Sequence, residues 1–342
     1  MLKVTHPSTY GSERAYILRV VLGEWLGLEF VEESAGIGCL RITRLEDPAA
    51  GTLETTDALF STPREKWLTQ AALPNEIQSW NHAPALPGVP APLAVLYGGR
   101  IGQGDYLVAR PGLVRLGLDI FGTAFFMLTR YEEVVNRQRD QFDRFASRFS
   151  ILHPASLLER PIVNEHLELL WWALHRLWPD LLRKPHAYRC LLSCDVDNVS
   201  IMGASPLLAL RILAGRSVRD ALRVGPWHSV FRRSGQFWQA WRGGPGSDAL
   251  DDFDFLMDQA EQHGCKFVFN FIAGHGESGK DGIYGIHRYG IRRLMRRIHD
   301  RGHEVGFHGS YETFRDPVRV RQEFTRMSRI AAEEGVTPAA PP

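Results

Sequence analysis

Two carboxylates separated by one residue, Asp195 and Asp197, follow a short apolar run, and His308 ends another such run later in the chain. If the backbone leaves the extended conformation there, one carboxylate can bind a divalent metal while the other handles a proton. An imidazole from a neighbouring strand end completes a mixed N/O site of the kind that suits Zn²⁺. The metal then acidifies water or polarises an acyl oxygen, and the free carboxylate acts as general base. Each signal alone is also typical of a helix cap or a structural histidine, so the prediction depends on their coincidence.

Short buried strands that alternate with helices must position these residues. The apolar runs predict strands at 190–193, 266–273 and 304–307, and the amphipathic runs predict helices at 251–263 and 291–301. This alternation indicates a parallel α/β arrangement. In such folds the chemistry gathers at the carboxyl ends of the strands, where all three candidate side chains fall.

The first half of the chain has a different pattern. Apolar residues at helical spacing predict helices at 16–30 and 162–178, and prolines at 84–92 predict an extended connector between them. Prolines after the second helix indicate a domain boundary. We therefore predict an α+β domain at 1–183 and an α/β domain at 188–334.

Two motifs of the second domain resemble those of a known family. The sequence LSCDVD at 192–197 resembles the first motif of the polysaccharide deacetylase (NodB-homology) superfamily in its Asp-x-Asp form. The sequence GHEVGFHGSY at 302–311 resembles the second motif, in which a metal-binding His follows a short strand. The resemblance implies an incomplete (β/α) barrel of the deacetylase type, preceded by a smaller α+β domain. It also implies that Asp195 is the catalytic base and that Asp197 and His308 bind the metal, most simply Zn²⁺.

The second domain departs from the family pattern in two ways. The family offers another His four positions after the first, and Glu312 occupies that place here. Glu can also bind a metal, so Glu312 is a candidate third ligand, or else the site is weakened. The family's later motifs have no counterpart, among them an Arg that orients the base and a Leu-x-His. We therefore expect either part of a longer enzyme or a barrel that is completed differently.

The first domain resembles the uncharacterised domain that precedes some bacterial deacetylase domains. The stretches that carry this resemblance lie at 119–133, 144–150 and 160–164. Such two-domain proteins resemble parts of surface-polysaccharide systems. Together the resemblances cover about 90–330 and imply a metal-dependent hydrolase that removes an acyl group, in particular acetyl, from a carbohydrate.

Three other features bear on ligands. His275 follows the second predicted strand and Tyr311 follows His308, so both are candidate substrate-binding residues, although a mobile loop and rim packing are equally simple readings. The segment 201–247 carries seven arginines and one acidic residue among many apolar side chains. It predicts either peripheral contact with an anionic membrane or an insertion that packs on the barrel.

The composition limits the function classes. A net charge of +1, with 44% hydrophobic and 23% charged residues, is typical of a globular protein and gives no electrostatic attraction to nucleic acid. Four scattered cysteines do not make a disulfide framework. The N-terminus lacks the apolar core of a signal peptide, and no run is long enough to span a bilayer, so we expect a cytoplasmic protein. The oligomeric state is not indicated.

Two other functions fit the same residues. Asp195-Val-Asp197 also matches the nucleophile motif of haloacid-dehalogenase-like phosphatases, in which Asp195 would attack phosphorus while Asp197 holds Mg²⁺. The missing second His and later motifs also fit a catalytically impaired binding or scaffold protein on a deacetylase-like fold. Metal content discriminates the deacetylase from the scaffold, and phosphorylation of Asp195 identifies the phosphatase.

Overall fold

The computed structural model divides the chain into two compact units, Met1–His186 and Ala187–Pro342. The division falls between the two predicted domains, and the first unit is the longer one. The basic segment 201–247 lies outside the described residues. These are 1–82, 86–101, 104–197, 250–275, 281 and 284–339.

The first unit contains a six-stranded mixed sheet of order β2-β1-β3-β4-β8-β7 and a separate antiparallel pair, β5 and β6. Leu2 and Val4 are buried while Lys3 and Thr5 between them are partly exposed, the alternation expected of a sheet that covers a core on one face. The strands are β1 (Leu2–His6), β2 (Phe30–Ser34), β3 (Cys39–Arg44), β4 (Thr52–Thr56), β5 (Gln78–Trp80), β6 (Leu93–Val95), β7 (Leu107–Arg110) and β8 (Leu113–Leu116).

The described residues of this unit form the helices α1 (Gly11–Leu18), α2 (Ile120–Leu128), α3 (Tyr131–Val135) and α4 (Ile162–Leu177). A π-helical segment, Arg19–Trp25, continues α1. The helix predicted at 16–30 therefore begins earlier and ends earlier. Its end is set by Gly27, whose φ of 70° belongs to the left-handed region that terminates helices.

Where the structure describes the second unit, it contains a parallel sheet of β9 (Leu192–Val196), β10 (Phe267–Ile272) and β11 (Glu304–His308), in the order β11-β10-β9. The helices α5 (Leu250–Gln262), α6 (Tyr289–Asp300) and α7 (Pro317–Glu333) accompany them. The predicted mixed α/β architecture is confirmed. The sheets formed by the described residues are open, and none of them closes into a barrel.

The two faces of the second sheet differ in character. Phe269, Phe271 and Val305 are buried in a core that also contains Leu294 and Ile298 of α6. The opposite face carries the polar or small residues Ser193, Asp195, Asn270, Gly306 and His308, together with the apolar Val268 and Ile272. Because successive side chains of a strand alternate between faces, one face packs against the helices and the other carries the polar side chains.

Helix α7 was not predicted from the apolar pattern. Its beginning is nevertheless encoded locally, since Pro317 occupies the first turn and the Asp316 carboxylate accepts from the backbone N–H groups of Val318 and Arg319.

No helix within the described ranges combines the length and the apolar character that a membrane span requires.

Candidate functional site

A carboxylate and an imidazole meet on the polar face of the second sheet. Nε2 of His308 lies 3.5 Å from Oδ2 of Asp195, and the two side chains are 34% and 56% exposed. Asp195 is the penultimate residue of β9 and His308 is the last residue of β11. β9 and β11 flank β10 on opposite sides, so the pair spans β10 at the carboxyl end of the sheet.

Asn270 of β10 lies between the two members of this pair. Asp195, Asn270 and Gly306 are in register across the three strands. Nδ2 of Asn270 donates to Oδ1 of Asp195 at 3.0 Å. Each carboxylate oxygen of Asp195 therefore has a polar neighbour: Oδ1 accepts from the amide of Asn270, and Oδ2 faces the imidazole of His308.

The second ring nitrogen of His308 is in a different environment. Nδ1 is buried and has no hydrogen-bond partner among the residues that the structure describes. A buried polar atom without a partner costs free energy, of order 1–3 kcal/mol for a neutral group. Such an atom in a native protein commonly indicates water, an ion or a ligand.

A buried carboxylate fixes the segment that follows His308. Glu323 of α7 is 3% exposed. Its carboxylate accepts from the backbone N–H of Ser310 at 2.9 Å, from Oγ of Ser310 at 2.6 Å and from Nε of Arg319 at 3.1 Å. A Cβ on Gly274 would come within 2.0 Å of Oε1 of Glu323, so the loop after β10 also approaches this carboxylate closely. Glu323 thereby ties the segment after β11 to α7 and lies against the loop after β10.

The predicted third ligand, Glu312, belongs to this network. Its Oε2 accepts from Nη1 of Arg319 at 2.6 Å. Hydrogen bonds with Glu323 and Glu312 raise the pKa of the Arg319 guanidinium above its ordinary value. Arg319 therefore stays charged and bridges two carboxylates.

The three predicted metal ligands do not converge. Asp197 follows β9 at a bend, with an exposed side chain and no hydrogen bond or ion pair to another described residue. Within the part of the chain that the structure describes, no three His, Cys, Asp or Glu side chains are grouped so that they could hold a metal ion. The orphaned nitrogen of His308 and the carboxylate of Asp197 suit a divalent ion chemically, whereas Glu312 is committed to Arg319. The described residues fit part of a metal site but not a whole one.

Tyr284 packs at the carboxyl end of the sheet and hydrogen-bonds to two of its strands. Its hydroxyl donates to the carbonyl of Val196 at 2.7 Å and accepts from the N–H of Ile272 at 2.8 Å, so it joins the ends of β9 and β10. The ring is 3% exposed, and burial raises the pKa of the phenol far above its ordinary value. Tyr284 is therefore part of the support of the site.

The two predicted substrate-binding residues lie on the loops after β10 and β11. His275 is exposed, and its carbonyl accepts from Nη2 of Arg319 at 2.8 Å. Tyr311 is half-buried, donates from its backbone N–H to Asp281 at 2.5 Å, and contacts Phe314 edge-on at 6.0 Å between ring centroids. Neither side chain forms a described hydrogen bond or ring contact with Asp195 or His308.

In the first unit, the stretch 119–133, which carries the resemblance to the uncharacterised domain, contributes buried hydrogen-bonding groups. Asp119 caps α2 and accepts from the N–H groups of Ala58, Leu59 and Gly122 at 2.7–2.9 Å. Glu132, also buried, accepts from Oγ of Ser150 at 2.9 Å. These hydrogen bonds join segments that are distant in the chain and lie in the interior of the unit.

Residues 1–179 match the model of a family of unknown function (DUF7033). This match covers more than half of the 342 residues. The chain belongs to this family. Comparison with curated proteins and with solved structures gave no match.

The interior of the DUF7033 region contains a buried ion pair. Arg14 and Asp57 form a bidentate contact at 2.8 and 2.7 Å, and their side chains are 1% and 2% exposed. Phe60 lies 4.7 Å from the Arg14 guanidinium. Burial, and then the charge of Asp57, raise the pKa of Asp119 to about 6. The buried charged groups Arg14, Asp57 and Asp119 are therefore part of the interior of this region.

Sequence reasoning missed Asn270 and Gly306. Asn270 could have been noticed as the one polar residue in the run FVFNFI, but its partner depends on the register of β9 against β10. Gly306 lies in the short strand EVGFH and has an ordinary appearance. Its role becomes visible only when the side chain of Asn270 is placed beside it.

Proposed function

We propose that the second unit hydrolyses an acyl group from a carbohydrate, with Asp195 as the general base. The observation that carries the proposal is the pairing of Asp195 with His308 at 3.5 Å, at the exposed carboxyl end of a parallel sheet. The two sequence motifs that resemble the polysaccharide deacetylase superfamily contain these same two residues. The motif resemblance supplies the substrate class, and the geometry supports proton transfer.

The chemistry requires a proton acceptor close to an attacking water. Asp195 takes a proton from the water as its oxygen bonds to the acyl carbon. The bond from that carbon to the sugar nitrogen or oxygen then breaks, and the leaving atom takes up a proton. The imidazole of His308 lies 3.5 Å from Oδ2 of this carboxylate and helps to orient it.

A divalent metal, with Zn²⁺ as the first candidate, belongs to the proposal through Asp197 and His308. Bound there, it would acidify water and polarise the acyl oxygen. Because the described residues supply only part of its donor set, the proton transfers above are assigned to the side chains alone. We expect Zn²⁺ to bind the wild-type protein and to be lost in both Asp197→Ala and His308→Ala, which metal analysis after dialysis measures.

Acetate release from a panel of N- and O-acetylated sugars tests the hydrolase. We expect Asp195→Asn to lower the rate by at least about 100-fold, since a general base contributes about 10²–10⁴-fold. Asp300→Asn is the matched control, because Asp300 is an exposed carboxylate at the end of α6. Equal rates for the wild type and Asp195→Asn would refute the role of Asp195.

The second candidate is a binding or scaffold protein that no longer catalyses. Two observations favour it: Glu312 is paired with Arg319, and the described residues contain no group of three metal donors. An intact fold with neither metal nor acetate release would support it. An acid-labile phosphoryl group on Asp195 would instead identify a phosphatase.

A further inference from the structure

We infer that Asn270 is a positioning residue for Asp195, and that Gly306 is required to leave room for it. The inference rests on the proposed role of Asp195 as general base. Asn is disfavoured in strands, and it interrupts an otherwise apolar β10 whose neighbours Phe269 and Phe271 are fully buried. Its carboxamide contributes nothing to that core, because it lies on the opposite face of the sheet.

The hydrogen bond from Asn270 makes the two oxygens of Asp195 inequivalent. An ionised carboxylate only accepts, so the amide nitrogen of Asn270 must face it. Oδ1 takes this N–H at 3.0 Å, and Oδ2 is left facing His308 at 3.5 Å. Asp195 is 56% exposed, so packing does not hold its carboxylate, and the polar contacts of its two oxygens must orient it. Asn270 therefore fixes which oxygen is presented for proton transfer.

Gly306 controls the same hydrogen bond from the other side. A Cβ on residue 306 would lie 2.1 Å from Oδ1 of Asn270 and 2.8 Å from Cγ1 of Val268. Real Cβ contacts are not that short, so an alanine there would displace the carboxamide away from its present position. Gly306→Ala thus disturbs the orientation of Asp195 without removing any polar group.

Steady-state acetate release by the full chain tests this inference in Asn270→Leu and Gly306→Ala. We expect kcat to fall about 10- to 100-fold with KM changed less than about twofold, because misplacing a reacting group by about 1 Å costs this much. In the Asp195→Asn background, Asn270→Leu should cause no further loss, since the two residues act as a unit. Gln259→Leu, which changes an exposed carboxamide on α5, is the matched control and should leave kcat unchanged.

An equal loss from Asn270→Leu in the wild-type and Asp195→Asn backgrounds would overturn the inference, because it would show that Asn270 acts through the fold alone. If the wild type releases no acetate from any sugar, the proposed function fails, and side-chain amide NMR then decides about Asn270. We expect its Nδ2 resonances to move in both Asp195→Ala and Gly306→Ala. Resonances that stay unchanged in Asp195→Ala would refute the positioning contact.

Discussion

Replacing Glu323 by Gln tests whether this buried carboxylate holds the loop after His308 in place. Glu323 accepts three hydrogen bonds, two from Ser310 and one from Arg319. Gln keeps one side-chain oxygen and replaces the other by an NH₂ group. This NH₂ donor then faces another donor, either the N–H of Ser310 or the guanidinium of Arg319. One buried donor is left unsatisfied, at a cost of about 1–3 kcal/mol. Opening of the loop should become about 5- to 150-fold more frequent.

Hydrogen exchange measured by mass spectrometry on peptides covering 304–316 reads this opening within the full chain. Glu333→Gln is the matched control on the same helix. Glu333 is 46% exposed and pairs with Arg292 at 3.0 Å. Exposed ion pairs contribute at most about 1 kcal/mol, so this change should leave the 304–316 peptides nearly unaffected. Similar exchange in Glu323→Gln and Glu333→Gln would refute the supporting role of Glu323.

Three further predictions concern the buried polar groups. The folded-state pKa of Asp119, about 6, exceeds the ordinary 3.8, so its stabilisation is complete below about pH 4 and is lost as pH rises through about 6. Asp119→Asn should flatten this part of the profile of unfolding free energy against pH for the first unit, and an unchanged slope would contradict the assignment. Arg14→Met should cost about 3–5 kcal/mol in urea unfolding because it leaves Asp57 charged and buried, whereas the exposed-pair variant Arg19→Met should cost less than about 1 kcal/mol. Tyr284→Phe orphans an N–H and a carbonyl and should cost about 1–3 kcal/mol, measured as faster exchange in peptides of β9 and β10.

The sequence predicted the parts of the second unit that depend on local pattern. The run FVFNFI had to be a buried strand, because its apolar and aromatic residues suit a strand packed under helices, and β10 spans these residues. The location of Asp195 and His308 at the carboxyl ends of their strands could be predicted from the general placement of chemistry in parallel sheets, but their direct contact was not predicted. The contacts of Asn270 and Gly306 could not be predicted, since they depend on the register of three strands that are far apart in the chain.

Glu312 illustrates a second limit of sequence reasoning. Its position four residues after His308 predicts a metal ligand by analogy with a histidine at that place. The same side chain is also seven residues before Arg319, and the turn into α7 brings these two together at 2.6 Å. The motif spacing shows that Glu312 stands where the family has a histidine, but it does not predict that Arg319 of the next helix pairs with it.

The ion pair between Glu312 and Arg319 bears directly on the choice between hydrolase and scaffold. If Glu312 is a metal ligand, binding must take its carboxylate from Arg319, and Glu312→Gln should weaken Zn²⁺ binding as much as Asp197→Ala does. If its role is only structural, Glu312→Gln should leave Zn²⁺ affinity unchanged while loosening the loop at Tyr311, as hydrogen exchange would register. In that case Asp197 and His308 would need donors from beyond Glu312. The metal affinity of this one variant therefore separates a rearranged deacetylase-like site from one in which Glu312 serves the fold alone.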